Sequence, residues 1–191
     1  MTVMADEKNT LMEATWVENL MIPMDVYPYI PQWYTLKQAM KVLESSKLEV
    51  EGRQSLPRSL LVFDEEYNMV GYVRRRDIMR GLEPKFLVSE PLSYRKKLFD
   101  VKIDPNLSEL SFDKVVKGMR EQAAREVSEV MRPVEVTIFH DDHLMKAVYE
   151  MVSYSVSLIP VIKDQQVIGV IRSADVFHQL SKILLDEELK S

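Results

Sequence analysis

The sequence contains no cysteine, which excludes several kinds of site at once. Without thiols the chain has no disulfide framework, no thiolate nucleophile and no cysteine metal site, a composition that fits the reducing cytosol. It also lacks any apolar run approaching the roughly 18 residues of a membrane span. Acidic and polar residues occupy the first positions, where a signal peptide would need a basic end and an apolar stretch. We therefore expect a cytoplasmic protein that does not enter a membrane.

The usual catalytic signatures are missing as well. The chain has no G-x-S-x-G elbow, no phosphate-binding P-loop and no H-E-x-x-H metal motif. A net charge of -5 at pH 7 argues against a surface built for nucleic acid, because phosphate binding needs a basic face. What remains is 191 residues with 46% hydrophobic content, enough for one domain or two small ones. We expect a globular protein that is not an enzyme and does not bind nucleic acid.

A repeated heptapeptide reveals an internal duplication. Residues 71–77 read GYVRRRD and residues 169–175 read GVIRSAD, with glycine, arginine and aspartate at the same three places. Upstream, the M-x-P of residues 21–23 matches that of residues 131–133. Between these anchors each copy shows one apolar helix face, with residues at i, i+3, i+4 and i+7: Leu36, Ala39, Met40 and Leu43, then Leu144, Ala147, Val148 and Met151. The chain therefore contains two copies of one structural unit.

Each copy is predicted to run strand, helix, strand, strand, helix. The first copy carries extra residues, which fit in the polar stretch KLEVEGRQSLPR before the strand SLLVF. A copy of about 60 residues buries little surface alone, so we expect the two copies to share one core. The predicted division is an N-terminal tail, a first repeat, a helical insert, a second repeat and a C-terminal tail, over residues 1–15, 16–83, 84–125, 126–185 and 186–191.

The segment between the copies is predicted to contain an additional helix. Apolar residues recur at helical spacing over residues 111–130, with Ser108 or Ser111 as candidate caps. We interpret this helix as a contact surface for a partner protein.

The HDDH of residues 140–143 has two interpretations. Two imidazoles and two carboxylates are good metal ligands, so one hypothesis is a metal-binding protein that uses His140 and His143. The segment also lies where a strand turns into a helix, where Asp141 or Asp142 is well placed as an N-cap. The second interpretation is favoured, because it needs nothing beyond the turn itself.

The repeat resembles the CBS-domain pair, also called the Bateman module. The resemblance rests on the two M-x-P entries, the two L-x-x-A helix starts, and the strand Pro160-Val161 followed by the signature that ends at Asp175. The first copy departs from it, with Leu61-Val62 where Pro-Val is usual. The resemblance implies an α/β (α+β) fold in which two CBS-type repeats pack around a pseudo-twofold axis, and a free-standing regulatory protein without an attached catalytic domain.

The resemblance also implies a ligand. CBS pairs commonly bind AMP, ADP, ATP or S-adenosylmethionine between their repeats and often form homodimers, so we expect an adenine nucleotide as ligand, no required cofactor, and an unidentified effector protein. Carried over by position, Asp77 and Asp175 would bind ribose. Further ligand contacts would come from both copies at the strand edge, the glycines and the middle strand: Tyr29, Thr137, Gly71, Gly169, Val62 and Val161.

Arginine departs from the family pattern at one signature position. Arg74 and Arg172 stand where the family usually has serine or threonine. An arginine there offers a charged fork for a phosphate oxygen. Alternatively, Arg74 and Arg172 fill the clefts, and the protein is a structural dimerisation or scaffold module. Without the resemblance, both aspartates are better explained as helix-start residues, which the helix dipole favours and which cap free backbone N–H groups.

Overall fold

The computed structural model describes residues 15–50, 52–84 and 112–188. The first repeat and its entry contain α1 (Val17–Leu20), β1 (Ile22–Pro23), β2 (Tyr29–Pro31), α2 (Leu36–Ser45), β3 (Leu48–Val50), β4 (Arg53–Ser55), β5 (Ser59–Phe63), β6 (Met69–Arg74) and α3 (Arg75–Leu82). The rest contains α4 (Phe112–Gln122), a 3-10 turn (Val127–Glu129), β7 (Arg132–Pro133), β8 (Ile138–Phe139), α5 (Leu144–Ser153), β9 (Leu158–Lys163), β10 (Gln166–Arg172) and α6 (Ser173–Glu188). The mixed α and β composition and the duplicated order confirm the expected fold class.

Helices α2 and α5 each begin after a residue whose side chain accepts a hydrogen bond from a backbone N–H of the first turn. At the start of α2, the side chains of Thr35 and Gln38 form a reciprocal capping box. The prediction that Asp141 or Asp142 caps α5 is wrong, because His143 is the N-cap and its Nδ1 accepts from the Met145 N–H at 3.1 Å. Asp142 instead stabilises the preceding turn, where its Oδ2 accepts from the Phe139 N–H at 2.8 Å.

Two four-stranded sheets exchange their entry strands. One sheet has the order β1-β10-β9-β8 and the other β2-β5-β6-β7. Strand β1, at the entry of the first repeat, therefore pairs with β10 of the second, and β7 pairs with β6 of the first. Each M-x-P segment thus pairs with the sheet of the other repeat and not with the sheet of its own repeat.

The signature glycines make this exchange sterically permissible. A Cβ on Gly71 would lie 2.4 Å from the carbonyl oxygen of Arg132, and one on Gly169 would lie 2.6 Å from that of Ile22. Both obstacles are backbone atoms of the crossing entry strand, which cannot move aside like a flexible side chain. Glycine is therefore required in both signatures for the close approach of two strands.

Three apolar clusters form the core. One is centred in each repeat, and each includes a residue from the other repeat's entry segment, Val17 in one case and Val127 in the other. The third cluster combines residues from both repeats, among them Ile22, Leu48 and Leu158. The expectation that the copies share a core is confirmed for this cluster, which holds the repeats together by burying apolar surface.

The extra residues of the first repeat form a small hairpin. Strands β3 and β4 pair antiparallel around Gly52, whose φ is +71°. The hairpin is attached to the core by Leu48, which is fully buried. The sequence indicated the position of these residues but not their conformation.

The inserted helix is shorter than predicted. It occupies Phe112–Gln122 as α4, and the rest of the predicted range turns towards the first repeat, where the Val127 N–H donates to the Tyr34 carbonyl at 2.7 Å. The predicted caps Ser108 and Ser111, and the two terminal tails apart from residues 15 and 186–188, lie outside the described residues. Within the described residues, no helix is both long and apolar enough to cross a membrane.

Candidate functional site

Arg172 and Asp175 form an ion pair at the junction between β10 and α6. The Arg172 Nε donates to Asp175 Oδ2 at 2.7 Å, and Nη2 donates to Oδ1 at 2.7 Å. The third guanidinium nitrogen, Nη1, donates to the Ser55 Oγ on the hairpin at 3.3 Å. The arginine therefore connects the signature of the second repeat to the extra hairpin of the first.

Arg74 and Asp77 form the equivalent pair in the first repeat, with more donors. Asp77 accepts from Arg74 Nε at 2.6 Å, Arg74 Nη2 at 2.9 Å, the Arg74 backbone N–H at 3.2 Å and Arg132 Nε at 3.3 Å. Burial raises the pKa of the Asp77 carboxyl. The hydrogen bonds from Arg74 and Arg132 lower it by a larger amount, so the net result is a pKa below its usual range. Asp77 is therefore a buried, ionised carboxylate.

The two aspartates differ in the capacity that remains for a ligand. A carboxylate has about four acceptor positions. Asp77 uses four of them on protein donors. Asp175 accepts two bonds from Arg172 and none from any other residue in the described part of the chain, and it lines a cavity. Of the two signature aspartates, only Asp175 retains free acceptor positions for the hydroxyls of a ligand.

The cavity beside Asp175 is mainly apolar. We call it the apolar cavity; it has a volume of about 440 Å³. Its walls come from the entry segment, the hairpin and the start of α6: Asn19, Leu20, Met21, Ile22, Pro23, Val26, Glu49, Val50, Ser55, Arg172, Ala174, Asp175, His178 and Gln179. Both repeats thus contribute to one site.

A second cavity is also lined by Arg172 and is basic. We call it the basic cavity; it has a volume of about 410 Å³ and shares Ser55, Arg172 and Ala174 with the apolar cavity. Arginines and hydroxyls dominate its described lining, which contains no acidic residue: Tyr27, Ser55, Leu56, Arg58, Ser59, Arg75, Ser157, Leu158, Arg172, Ser173 and Ala174. The Nε of Arg75 is buried and has no hydrogen-bond partner among the residues that the structure describes. Such a donor favours an anionic acceptor in the cavity.

A third cavity adjoins Asp77. We call it the arginine cleft; it has a volume of about 390 Å³. It is lined by Asp77, Arg80, Gly81, Arg125, Glu129, Val130, Met131, Arg132 and Pro133. Its place relative to the first signature matches that of the apolar cavity relative to the second, but its charged residues differ.

The remaining predicted contacts do not line these three cavities. Val62 and Val161 are fully buried in the cores of their repeats. Tyr29 and Thr137 are exposed, and the Tyr29 ring packs edge-on against Phe63 at 5.6 Å between centroids. Gly71 and Gly169 line none of the three cavities either. Their close approach to the entry strands accounts for the glycine at each position.

Sequence reasoning missed several cavity residues. Ser55 and Arg58 lie in the extra polar stretch of the first repeat, and Arg75 lies in a run of three arginines, a pattern that is typical of a solvated turn. For Ser55 and Arg58, the only indication in the sequence is that the polar stretch of residues 47–58 has no counterpart in the second copy.

The HDDH segment is occupied by structural contacts. His140 Nδ1 lies 3.2 Å from Glu18 Oε2, and the ring of His143 contacts that of Trp16 edge-on at 5.7 Å. Among the described residues, no group of three or more His, Cys, Asp or Glu is arranged to hold a metal ion. These contacts dock the entry segment on the second repeat and do not support the metal hypothesis.

Comparison with known proteins agrees with this architecture. Residues 127–182 match the family model of the CBS domain. An uncharacterized protein of Methanocaldococcus jannaschii is 42% identical over 60 residues, which cover 30% of this chain and 28% of that protein. The chain therefore matches only about a quarter of that relative's length.

Solved structures with the same fold cover nearly the whole chain. The CBS domain of a CBS domain containing membrane protein from Sphaerobacter thermophilus superposes with a TM-score of 0.59 at 17% identity, covering 94% of this chain and 98% of that one. CBSX2 of Arabidopsis thaliana, in complex with AMP, gives a TM-score of 0.54 at 15% identity, covering 88% of this chain and 97% of that one. The fold is that of a CBS-domain pair. The match to the CBS-domain family lies in the second repeat, at residues 127–182.

Proposed function

We propose that this protein is a regulatory module that senses an adenine nucleotide and signals its presence to a partner protein. The nucleoside would occupy the apolar cavity and the phosphates the basic cavity. The observation that carries this proposal is the position of Arg172, which lines both cavities and pairs with Asp175 of the apolar cavity.

The charge of the basic cavity favours phosphate. Arg58, Arg75 and Arg172 line it, and none of its described lining residues is acidic. Arg172 uses its Nε and one Nη2 hydrogen on Asp175 and one Nη1 hydrogen on the Ser55 Oγ, which leaves one N–H on each of Nη1 and Nη2 for another acceptor. An arginine edge of this kind binds a phosphate through two parallel hydrogen bonds. Pairing with Asp175 and binding of phosphate are therefore compatible.

The apolar cavity favours a nucleoside. Its entry-segment residues, Leu20 to Pro23, present an apolar surface for a base, and Asp175 has acceptor positions left for ribose hydroxyls. The AMP complex of CBSX2, which shares the fold, supports adenine as the base.

Signalling would follow from the two-repeat composition of the site. The hairpin contributes Glu49 and Ser55, and α6 contributes Ala174 and Asp175, so a ligand contacts both repeats together. A ligand that binds one relative arrangement of the repeats more tightly shifts the population towards it. Regulation of another protein, rather than catalysis, is the output that this arrangement favours. The effector, the homodimer and the cytoplasmic location stay predictions.

The decisive experiment is a ligand panel of adenosine, AMP, ADP, ATP and S-adenosylmethionine, read as the thermal unfolding midpoint. A ligand at about 100 times its dissociation constant adds roughly 2.7 kcal/mol to the free energy of unfolding. We expect at least one phosphorylated compound to raise the midpoint and adenosine to raise it less. If no nucleotide changes the midpoint, the sensor function is wrong.

A second candidate function, a structural scaffold, is favoured by one observation. Asp77 is fully engaged by Arg74 and Arg132, which closes its carboxylate to ribose. If the second signature behaved in the same way, the protein would only dimerise or scaffold. Tighter nucleotide binding after Arg172→Ala would identify the arginine as a plug and favour this candidate.

A further inference from the structure

We infer that the arginine cleft is a separate binding site for a phosphate-type oxyanion with two or more negative charges, and not for a nucleoside. The site lies beside Asp77, on the opposite signature from the proposed nucleotide site. It does not depend on the proposed function.

The cleft contains unneutralised positive charge. Arg80 and Arg132 line it, and Arg80 has no side-chain hydrogen bond or ion pair with any described residue. Arg132 uses only its Nε, on Asp77, and its two terminal nitrogens have no partner within the described part of the chain. Two guanidinium groups thus present unused donors to one concave surface, where the fields of like charges add.

The acids at the cleft do not cancel this charge. Asp77 is already paired with Arg74, and Glu129 is paired with Arg125 at 2.9 Å. Arg74 and Arg125 therefore neutralise the two carboxylates, and the charges of Arg80 and Arg132 remain. Together with Arg74, which pairs with Asp77, the charged lining residues comprise four arginines and two carboxylates; a doubly charged oxyanion neutralises this excess through charge-assisted hydrogen bonds.

The internal duplication provides a built-in comparison. By position in the repeat, Arg132 corresponds to Ile22 and Arg80 corresponds to His178, and both of these line the apolar cavity. The same place in the fold is therefore apolar beside Asp175 and cationic beside Asp77. Because the backbone architecture is shared, the side chains alone account for the difference in ligand.

A nucleoside is a poor ligand for the cleft. Ribose recognition by the signature aspartate needs free acceptor positions, and those of Asp77 are all used by Arg74 and Arg132. Displacing either arginine would leave a buried ionised carboxylate short of partners. A compact oxyanion needs only donors and leaves this network intact.

The experiment measures pyrophosphate binding by titration calorimetry at constant ionic strength, with orthophosphate as a second probe. The test variants carry the residues of the other cleft, Arg132→Ile and Arg80→His. We expect each to weaken pyrophosphate binding at least about tenfold, the effect of losing one charge-assisted hydrogen bond. Arg120→His, on the exposed face of α4, serves as the charge-matched control and should change binding less than about twofold.

A further variant distinguishes this site from the basic cavity. Arg75→Gln removes a cation from the basic cavity, where the proposed function places nucleotide phosphates, so loss of pyrophosphate affinity in this variant reports on that cavity; we expect a smaller loss than in Arg132→Ile or Arg80→His. If Arg75→Gln abolishes binding while Arg132→Ile and Arg80→His do not, the anion binds in the basic cavity and the inference is wrong. Absence of measurable pyrophosphate and orthophosphate binding in the unmodified protein would also overturn it.

Folding and the source of the anion are controlled separately. Arg80→His changes an exposed side chain, so it is expected to keep the unfolding midpoint unchanged even if Arg132→Ile does not. Competition by ADP distinguishes a free anion from the phosphate tail of a larger molecule. If ADP displaces pyrophosphate from the site at Arg132, the cleft accepts the phosphate tail of a larger molecule. If ADP does not displace pyrophosphate, the cleft binds the free anion. The oxyanion site is retained in both cases.

Discussion

At the scale of single residues, the arginine of each signature pairs with the aspartate three positions later. In the second repeat this pairing leaves Asp175 able to accept further hydrogen bonds, whereas in the first repeat Arg132 completes the set around Asp77. Two additional donors, the Arg74 backbone N–H and the Arg132 Nε of the entry strand, therefore make the two signatures chemically unequal.

This inequality predicts different effects of the two carboxylates on ligand binding. Asp175→Asn should weaken binding of the tightest nucleotide at least about tenfold, because a hydrogen bond to a charged group contributes roughly 1.5–3 kcal/mol. Asp77→Asn should change the affinity less than about threefold, provided that the protein remains folded. Titration calorimetry checks both variants, and equal losses would mean that the two signatures bind ligand equally.

Asp77 also predicts how stability depends on pH. Its pKa is depressed in the folded protein, so its contribution is present above the unfolded pKa near 4 and is lost as pH falls through the folded value. We expect the free energy of unfolding from urea melts to fall between about pH 5 and pH 3, and the fall to be smaller in Asp77→Asn. An identical pH profile in the variant would show that other carboxyl groups account for the acid sensitivity.

Removal of the Asp77 carboxylate should strongly destabilise the protein. The side chains of Arg74 and Asp77 are only 17% and 4% exposed, and breaking a buried pair leaves an uncompensated charge at a cost of about 3 kcal/mol. Lys146→Ala, which breaks the more exposed pair with Asp142, should cost less than about 1 kcal/mol. Denaturant unfolding of Asp77→Ala and Lys146→Ala tests this difference.

At the scale of elements, the entry strands depend on glycine in the strands that they cross. Gly169→Ala places a methyl group 2.6 Å from the Ile22 carbonyl oxygen, so β1 must move away from β10, at a cost of about 2 to 3 kcal/mol. Gly52→Ala, in the hairpin turn with open space around it, costs only the positive φ, about 1 kcal/mol. Unfolding midpoints should rank Gly169→Ala below Gly52→Ala, and the reverse order would show that the strand crossing tolerates a side chain.

Several elements could be predicted from the sequence. The strand SLLVF was placed at the residues of β5, and the apolar spacing of LKQAMKVLES identified α2, because both patterns are determined by nearest neighbours along the chain. The HDDH cap was misplaced, and the hairpin of residues 48–55 was identified only as extra residues. Cap position and hairpin pairing depend on contacts with other segments, which local periodicity does not report.

At the scale of the whole molecule, the expected homodimer is still a prediction from the family resemblance. Phe177 and Leu184, 72% and 64% exposed, lie seven residues apart on α6 and therefore on one helix face, which suits burial against a second copy. Sedimentation should give about twice the 22.3 kDa chain mass, and Phe177→Glu should shift the protein towards the monomer. A monomer at all concentrations would show that the family resemblance does not extend to assembly.

The sequence by itself determined that the chain is a duplicated α/β unit with paired signatures, because repeats, periodicity and i to i+3 spacing are properties of the linear order. Only the tertiary structure decided how the signatures differ. The entry strand of each repeat lies on the sheet of the other, so Arg132 reaches Asp77 while the hairpin's Ser55 reaches Arg172. These contacts join residues 55 and 117 positions apart. Long-range proximity of this kind arises from burial of the shared core and has no signal in local sequence.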